Sequence, residues 1–252
     1  MKKELLDKIV LTGGDARSGK LFFCESPNNI SPSAGRDFQD QNRWSQWRQE
    51  NFLFLKGVLR NLPDSSLVAD VGAGQSHFIS ILKRFNLVSL DFYPYPLVDV
   101  VCNFQQSLPL RSGVSDVVVL SNVLEHLENP PRLLKECQRV LKNDGLLIGS
   151  VPFLNGIHQR PYDFCRYTEY ALEKMLTEAN FKQIKIVPVL NFYALIYTMI
   201  AHYTDSLARD KIFGVRFVWK VLRVGLSVVK PFIFNRGNNK NFPLGYNFEA
   251  RA

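Results

Sequence analysis

The sequence predicts an α/β fold with a mostly parallel sheet and helices on both faces. Short apolar runs alternate with segments of helical periodicity between residues 67 and 187, an order typical of parallel strands joined by helices. Residues 244–251 then alternate apolar and polar side chains, which indicates a half-exposed antiparallel strand at the end of the chain. Seven strands are expected.

The composition supports a globular chain of this class. Its 252 residues are 46% hydrophobic, which allows a large buried core and excludes a disordered chain or a multi-span membrane protein. The four cysteines are far apart and form no Cys-x-x-Cys pair, so we expect buried thiols rather than disulfides or zinc ligands. Charged residues interrupt any signal-peptide core near the first residue. We therefore expect a cytoplasmic protein.

The chain begins with an extension, residues 1–40, that gives no clear pattern. A helix is expected over 42–61, because its aromatic and aliphatic side chains recur at helical spacing. Such a stripe indicates packing in the core or, alternatively, a helix that covers a bound cofactor. Turn-forming residues at 63–66 end this helix.

The stretch 67–91 predicts a strand, a tight turn, a helix and a second strand. Gly72 and Gly74 let the backbone turn sharply and approach a ligand where a side chain would collide. The helix after the turn would offer free N–H groups to that ligand. Asp91 ends the second strand, where a carboxylate can accept ribose hydroxyls. We therefore expect a Rossmann-like fold with a nucleoside-type cofactor at the turn.

The residues around the turn favour a cationic cofactor over a dinucleotide. Ser76 stands near the position of the third glycine of a dinucleotide-binding turn, so that pattern is only partly met. Asp70 precedes the first glycine, where an acid is a poor neighbour for a diphosphate and a good partner for an ammonium group. The turn resembles the first motif of the class I S-adenosylmethionine-dependent methyltransferases.

Two later phrases resemble the type 11 group of that family. They read Leu-Glu-His-x-x-Asn-Pro over 124–130 and Leu-Lys-x-x-Gly-x-Leu over 141–147, and the resemblance spans roughly residues 65–190. It implies S-adenosylmethionine as cofactor, held at the carboxyl ends of the strands, with Asn103 and Phe104 against the adenine ring. The residues expected to contact the cofactor are Asp70, Gly72, Ala73, Gly74, Asp91, Phe92, Asn103, Phe104, Ser121 and Asn122.

The remaining elements follow in the same alternating order. Apolar runs predict strands at 87–91, 98–102, 115–120, 146–151 and 181–187. A helix is expected from Asn129-Pro130, and another is capped by Thr168. The resemblance implies that the final strand lies antiparallel beside the sixth. Residues 41–190 and 241–252 would thus form the methyltransferase domain.

Candidate catalytic residues lie after the fourth and fifth strands. Methyl transfer is an in-line displacement, so the protein chiefly aligns the two reactants, and a hydroxyl acceptor also needs a base. His158 titrates near neutrality, and Arg166 would hold an anionic acceptor. The alternative is that Asp163 and Arg166 pair to hold the loop. His126 is a second candidate base or a structural hydrogen-bonding residue, and no pattern predicts a metal site.

The segment 191–240 is an insert before the last strand and carries most of the net charge of +8. Eight Lys or Arg and two Asp lie between 192 and 240. Within 212–234 four basic residues share one helical stripe between apolar side chains and Trp219, which suits a helix lying in a membrane interface. The four basic residues are Arg216, Lys220, Arg223 and Lys230.

A lid or a dimer-forming helical pair is the alternative for this insert, and nucleic acid is disfavoured because the stripe is too apolar. We therefore expect a methyltransferase, membrane-associated through 192–240, that acts on a small, glycan or lipid-linked acceptor. The alternatives are an NAD-dependent oxidoreductase and a non-catalytic cofactor-binding membrane or scaffold protein.

Overall fold

The computed structural model describes residues 2–25, 41, 44–209, 214, 217–218, 221–222, 224–225 and 241–252. Its strands are β1 (Asp15–Arg17), β2 (Lys20–Phe22), β3 (Leu67–Val71), β4 (Asn86–Asp91), β5 (Val100–Val101), β6 (Ser115–Ser121), β7 (Leu141–Pro152), β8 (Lys182–Val189) and β9 (Gly245–Arg251). Its helices are α1 (Lys2–Ile9), α2 (Gln46–Leu59), α3 (Ile79–Leu82), α4 (Pro130–Val140), α5 (Glu169–Glu178) and α6 (Phe192–Arg209), with a 3₁₀ helix at Leu124–His126.

The strands form one sheet in the order β1-β2-β5-β4-β3-β6-β7-β9-β8. All are parallel except β1 and β9: β9 lies antiparallel between β7 and β8, as expected. The fold class is therefore confirmed. The expected count of seven strands is wrong for the described part of the chain, which has nine, because a hairpin of two three-residue strands adds β2 beside β5. Strands this short give no readable alternation.

Helices cover both faces of the sheet. On one face α2 and α3 bury Leu55, Leu59 and Leu82 against Val68 of β3. On the other face α4 and α5 pack against alternate residues of the same strands, as the period of two requires. The sheet is thus buried on both sides, and its carboxyl edge is left for a ligand.

Three boundaries differ from the sequence predictions. The third predicted strand shrinks to Val100–Val101, because residues 95–98 form a turn closed by a hydrogen bond from Val98 N to Tyr95 O. Helix α2 begins after Ser45, whose hydroxyl accepts from Arg48 N. Helix α3 is a single turn of four residues without a side-chain cap, and it begins at Ile79. The prediction that a helix begins directly after the glycine turn at 72–74 is therefore wrong.

Strand β9 is not half-exposed. Four of its first residues and Ala250 are buried, and Asn247 retains only 3% exposure. The alternation of polar residues did not predict this burial, because β9 is paired with a strand on each edge. At Gly245 the ring of Trp47 from α2 lies so close that an added Cβ would be 2.4 Å from it.

The described part of the insert begins with helix α6, whose Tyr193, Ala194 and Leu195 are buried. The basic residues of the predicted stripe lie outside the described residues, and so do Trp219 and residues 26–40. None of the helices that the structure describes is long and apolar enough to cross a bilayer. The basic residues concerned are Arg216, Lys220, Arg223 and Lys230.

Candidate functional site

The glycine turn after β3 leaves room for a ligand. Gly72 and Gly74 have φ values of +79° and +54°, a region that glycine adopts without strain. A Cβ on Gly72 would lie 2.3 Å from Val123 Cγ2, whereas a Cβ on Gly74 would meet no atom within 4 Å. Gly72 is therefore needed for packing, and Gly74 faces open space in which a ligand can approach the backbone.

Two buried carboxylates flank this turn. Asp91 accepts hydrogen bonds from Gly74 N (2.7 Å) and Tyr93 N (2.9 Å), and its exposure is 7%. Asp70 is equally buried, and burial, with a smaller contribution from Asp91, raises the pKa of Asp70 to about 7. Burial also raises the pKa of Asp91, against the effect of its backbone hydrogen bonds. The turn therefore lacks a compensating positive charge among the groups that act on Asp70.

The other residues predicted to contact a cofactor lie along the same carboxyl edge. Ala73 and Phe104 are buried in apolar clusters, and Phe92 is half-buried with its ring 5.4 Å from that of Tyr93. Asn103 lines a cavity of about 340 Å³, and its side-chain oxygen accepts from Gln105 N.

Ser121 and Asn122 end β6 at this edge. The Ser121 hydroxyl is 2.9 Å from that of Ser150 on β7. Asn122 has a φ of +55°, and its side-chain oxygen accepts from Trp47 Nε1 at 3.2 Å. Helix α2 thus reaches the edge of the site through Trp47, while Trp44 is buried in the core. The core-packing interpretation of the aromatic stripe is confirmed for Trp44, and a role of this helix in covering a cofactor stays a prediction.

The loop after β7 is held by Asp163 and Arg166. Arg166 donates to both carboxylate oxygens of Asp163, one at 2.8 Å, and to the carbonyls of Gly156 and Cys165. Asp163 also accepts from His158 N at 2.8 Å. The Arg166 guanidinium lowers the pKa of Asp163 to about 2. This pair therefore has a structural role, and the guanidinium is already engaged rather than open to an acceptor.

The structure brings His126 and His158 together around Glu125, a residue that sequence reasoning missed. The two imidazole rings are 4.9 Å apart and nearly perpendicular, and each Nε2 faces Glu125 Oε1, at 3.7 and 3.8 Å. The carboxylate of Glu125 raises the pKa of His158, against the effect of burial. We call Glu125, His126 and His158 the EHH cluster. Its ligand atoms lie within 4.8 Å of one another, a grouping that the sequence alone does not indicate because Glu125 and His158 follow different strands.

The EHH cluster adjoins the glycine turn. Glu125 lies two residues after Val123, the residue against which Gly72 packs. His126 Nδ1 is hydrogen-bonded to the backbone carbonyl of Tyr162. After burial, Tyr162 and then Asp91 raise the pKa of Tyr93, so Tyr93 lies within electrostatic reach of both the glycine turn and the loop after β7. A ligand at the turn and a second molecule at the cluster would therefore be neighbours.

The chain is similar to known methyltransferases in sequence. Residues 69–149 match a methyltransferase domain family of the type 11 group. Over 125 residues the chain is 45% identical to a protein of Mycobacterium tuberculosis described as a probable S-adenosylmethionine-dependent methyltransferase. The matched residues are 46% of this chain and 45% of that protein. The chain thus spans about half the length of this relative.

Solved structures share the fold at low sequence identity. A phosphoethanolamine N-methyltransferase 2 of Haemonchus contortus, in complex with phosphomonomethylethanolamine and S-adenosylhomocysteine, has a TM-score of 0.51 at 14% identity and covers 86% of this chain and 59% of that one. The [4+2]-cyclase SpnF has a TM-score of 0.53 at 17% identity and covers 84% of each chain. Proteins named for different reactions thus share this fold, so the function has to be inferred from the residues of the site.

Proposed function

We propose that this chain, which carries a methyltransferase domain of the type 11 group at residues 69–149, binds S-adenosylmethionine and transfers its methyl group. One observation carries the proposal: two buried carboxylates, Asp70 and Asp91, flank a glycine turn that faces open space. A cationic nucleoside would compensate for their charge, whereas the diphosphate of NAD would add to it. The oxidoreductase alternative is therefore disfavoured.

The two carboxylates would take different parts of the cofactor. A carboxylate has about four acceptor positions, and two of those on Asp91 are used by backbone N–H groups. The remaining positions suit the two ribose hydroxyls. Asp70, whose charge has no such compensation, would pair with the ammonium group of the methionine part. The cofactor supplies a methyl group on a sulfonium leaving group, and the chain's task is then alignment.

We place the acceptor at the EHH cluster, because it adjoins the turn and is partly open to solvent through His158, whose side chain is 34% exposed. The cluster gathers a carboxylate and two imidazoles, which favours loss of a proton from a hydroxyl acceptor. This supports a hydroxyl-bearing small molecule, glycan or lipid-linked acceptor. Arg166 and Asp163 shape the loop that bounds the acceptor.

Calorimetric titration and an acceptor screen test this function. S-adenosylhomocysteine is expected to bind with a stoichiometry of one, and NAD is expected to give no saturable heat. With the labelled methyl donor, label is expected to appear in a polar-lipid or glycan extract. Saturable NAD binding without S-adenosylhomocysteine binding would contradict the proposal and favour the oxidoreductase. Cofactor binding without transfer to any extract would favour the non-catalytic alternative.

We further propose that the insert attaches reversibly to anionic membranes. Beyond α6, the apolar side chains that the structure describes in the insert are exposed, among them Phe217 by 71%, Val221 by 55% and Val224 by 58%. In the sequence they lie among four basic residues, each worth about 1 kcal/mol near an anionic leaflet. This attachment would bring a lipid-linked acceptor to the site.

Co-sedimentation of the full chain with phosphatidylserine-containing liposomes tests this attachment. Deletion of the insert is unsuitable because Tyr193 and Leu195 are buried. The variant instead replaces Arg216, Lys220, Arg223 and Lys230 by Gln, and the control replaces Lys3, Lys8, Arg60 and Lys174 by Gln. We expect lower sedimentation of the insert variant alone. Equal sedimentation of both variants would favour a lid or a dimer contact.

A further inference from the structure

We propose that the EHH cluster, formed by Glu125, His126 and His158, binds a divalent transition-metal cation. The binding site is independent of the methyl-transfer proposal, but the role we give the cation rests on it. Three features carry the inference: the tautomers of the two imidazoles, the isolation of the Glu125 carboxylate, and the spacing of the three ligand atoms.

The surroundings of His126 fix its tautomer. Its Nδ1 lies within hydrogen-bond distance of the backbone carbonyl of Tyr162. A carbonyl oxygen can only accept, so Nδ1 carries the proton and Nε2 of the neutral ring carries a lone pair. That Nε2 is buried and has no hydrogen-bond partner among the described residues. Metal-ligating histidines typically show this arrangement, with the second nitrogen donating to a carbonyl or carboxylate.

His158 is held in the same way. Its Nδ1 lies 3.3 Å from the carbonyl of Gly156 and 3.5 Å from Oδ2 of Asp163. Both are acceptors, so the proton is again on Nδ1. The Nε2 lone pair then faces Glu125, as that of His126 does. Asp163, already fixed by Arg166, thus acts as a positioning residue behind the imidazole.

Glu125 is a buried carboxylate that faces the two imidazoles without a direct hydrogen bond to either. Its side chain is fully buried, and neither oxygen has a hydrogen-bond partner within the described part of the chain. Arg166 is bonded to Asp163 instead. A buried carboxylate that faces two nitrogen lone pairs is unfavourable unless a cation lies between them. A bound divalent cation would satisfy all of these groups at once.

The spacing suits coordination after a contraction of the cluster. With metal–ligand bonds of about 2.1 Å, two ligands of one cation lie about 3.0–3.4 Å apart. The Nε2–Oε1 separations of 3.7 and 3.8 Å are a few tenths of an ångström longer than that, whereas the whole group of ligand atoms spans up to 4.8 Å, so the two imidazoles must approach each other by more than about 1 Å. They are also too long for direct hydrogen bonds. The Glu125 and His126 ends are fixed by a 3₁₀ helix, and the His158 loop can close the difference.

The ligand set indicates which cation binds. Two imidazoles and one carboxylate suit Zn²⁺, Fe²⁺, Co²⁺ or Mn²⁺, whereas Mg²⁺ and Ca²⁺ prefer oxygen ligands. Three protein ligands leave at least one coordination position open, as in catalytic rather than structural sites. With methyl transfer as the function, an acceptor hydroxyl would take the open position, and the cation would lower its pKa so that its proton leaves to solvent.

Titration of the chelator-treated full chain with Co²⁺ tests the site by calorimetry and visible absorption. We expect one site per chain, with d–d bands of nitrogen and oxygen ligands and no thiolate charge-transfer band, which separates it from the half-buried Cys24 and Cys165. Glu125→Gln and His158→Ala are each expected to weaken binding by about a hundredfold. The matched control Glu128→Gln alters an exposed neighbour and should bind as the wild type does.

Thermal unfolding of the apo forms shows whether each variant folds, and S-adenosylhomocysteine titration of the same samples monitors the cofactor site separately. Absence of Co²⁺ binding to a wild-type chain that still binds S-adenosylhomocysteine would overturn the cation site and leave the methyl-transfer proposal standing. Equal Co²⁺ affinity in the wild type, Glu125→Gln and His158→Ala would also overturn it.

Discussion

At the scale of single residues, the proposed cofactor binding depends on Asp70 and Asp91. Both carboxylates are buried beside the turn, Asp91 accepts from backbone N–H groups, and within the described residues no cation acts on Asp70. Because burial disfavours the charged form, their pKa values are raised. Such groups lower the stability of the protein alone and become favourable when a cationic ligand binds.

The pKa of Asp70, about 7, predicts how cofactor affinity depends on pH. The ammonium group of S-adenosylhomocysteine pairs with the ionised carboxylate, so binding should tighten by about tenfold between pH 6 and pH 8. Calorimetry at both values measures this change. Asp70→Asn should bind more weakly and remove the pH dependence. A wild-type affinity that is constant across this range would contradict the role of Asp70.

The same shift has a consequence for stability. The folded-state pKa of Asp70 lies above its unfolded value, so the ionised carboxylate destabilises the ligand-free protein increasingly as pH rises through about 7. Asp70→Asn should therefore raise the free energy of unfolding by about 4 kcal/mol at pH 8 and by only about 1.5 kcal/mol at pH 5. Denaturant unfolding at the two pH values measures this. A loss of stability at pH 8 would contradict it.

Asp91→Ala should weaken S-adenosylhomocysteine binding by about tenfold or more, because it removes acceptors for the ribose hydroxyls. Asp64→Ala is the control, since Asp64 is an exposed carboxylate paired with Arg84. Calorimetry of both variants gives the affinities. If Asp91→Ala bound as the control does, Asp91 would have no place in the cofactor site.

At the scale of elements, the turn between β3 and α3 separates packing from binding. Gly72→Ala places a Cβ against Val123 at a positive φ, and should destabilise the fold by about 2–4 kcal/mol. Gly74→Ala meets no protein atom and should cost only about 1 kcal/mol. It should nevertheless weaken cofactor binding, because the ligand would fill that space. Thermal unfolding and calorimetry of the pair check this, and unchanged affinity in Gly74→Ala would contradict it.

The loop after β7 depends on the Asp163–Arg166 pair. Because Arg166 lowers the pKa of Asp163 to about 2, the pair stabilises the fold above the unfolded pKa of Asp163, about 3.9, and this contribution is lost as pH falls toward 2. Arg166→Gln should lower the melting temperature at pH 7, and the difference from wild type should narrow below pH 4. A difference that is independent of pH would contradict this.

At the scale of the whole molecule, local patterns predicted the parts of the site that lie within one unit of sequence. The glycines and Asp91 belong to a single strand-turn-strand stretch, so spacing alone placed them together. Glu125 and His158 follow different strands and meet only because β6 and β7 are neighbours, with Ser121 opposite Ser150. Because both residues follow the carboxyl end of a strand, the sequence did indicate that they lie at the same edge of the sheet. That they lie side by side could be predicted only from the order of the strands.

Elements were predicted where burial sets the pattern and missed where tertiary contacts override it. Strands β3, β4 and β6 are continuous apolar runs and were found within one residue. Strand β9 has Asn247 buried and Glu249 and Arg251 only half-buried on its polar face, so its alternation predicted more exposure than the structure shows. The N-terminal hairpin is stabilised by pairing with β5, which its own sequence does not show.

The central claim is that Asp70 and Asp91 hold an adenosyl cofactor across the glycine turn. A crystal structure of the full chain with S-adenosylhomocysteine tests it most directly. The account predicts the ribose hydroxyls at the Asp91 carboxylate, the ammonium group at Asp70, and the sulfur directed toward the EHH cluster. A ligand bound elsewhere, or a ribose that does not contact Asp91, would contradict it.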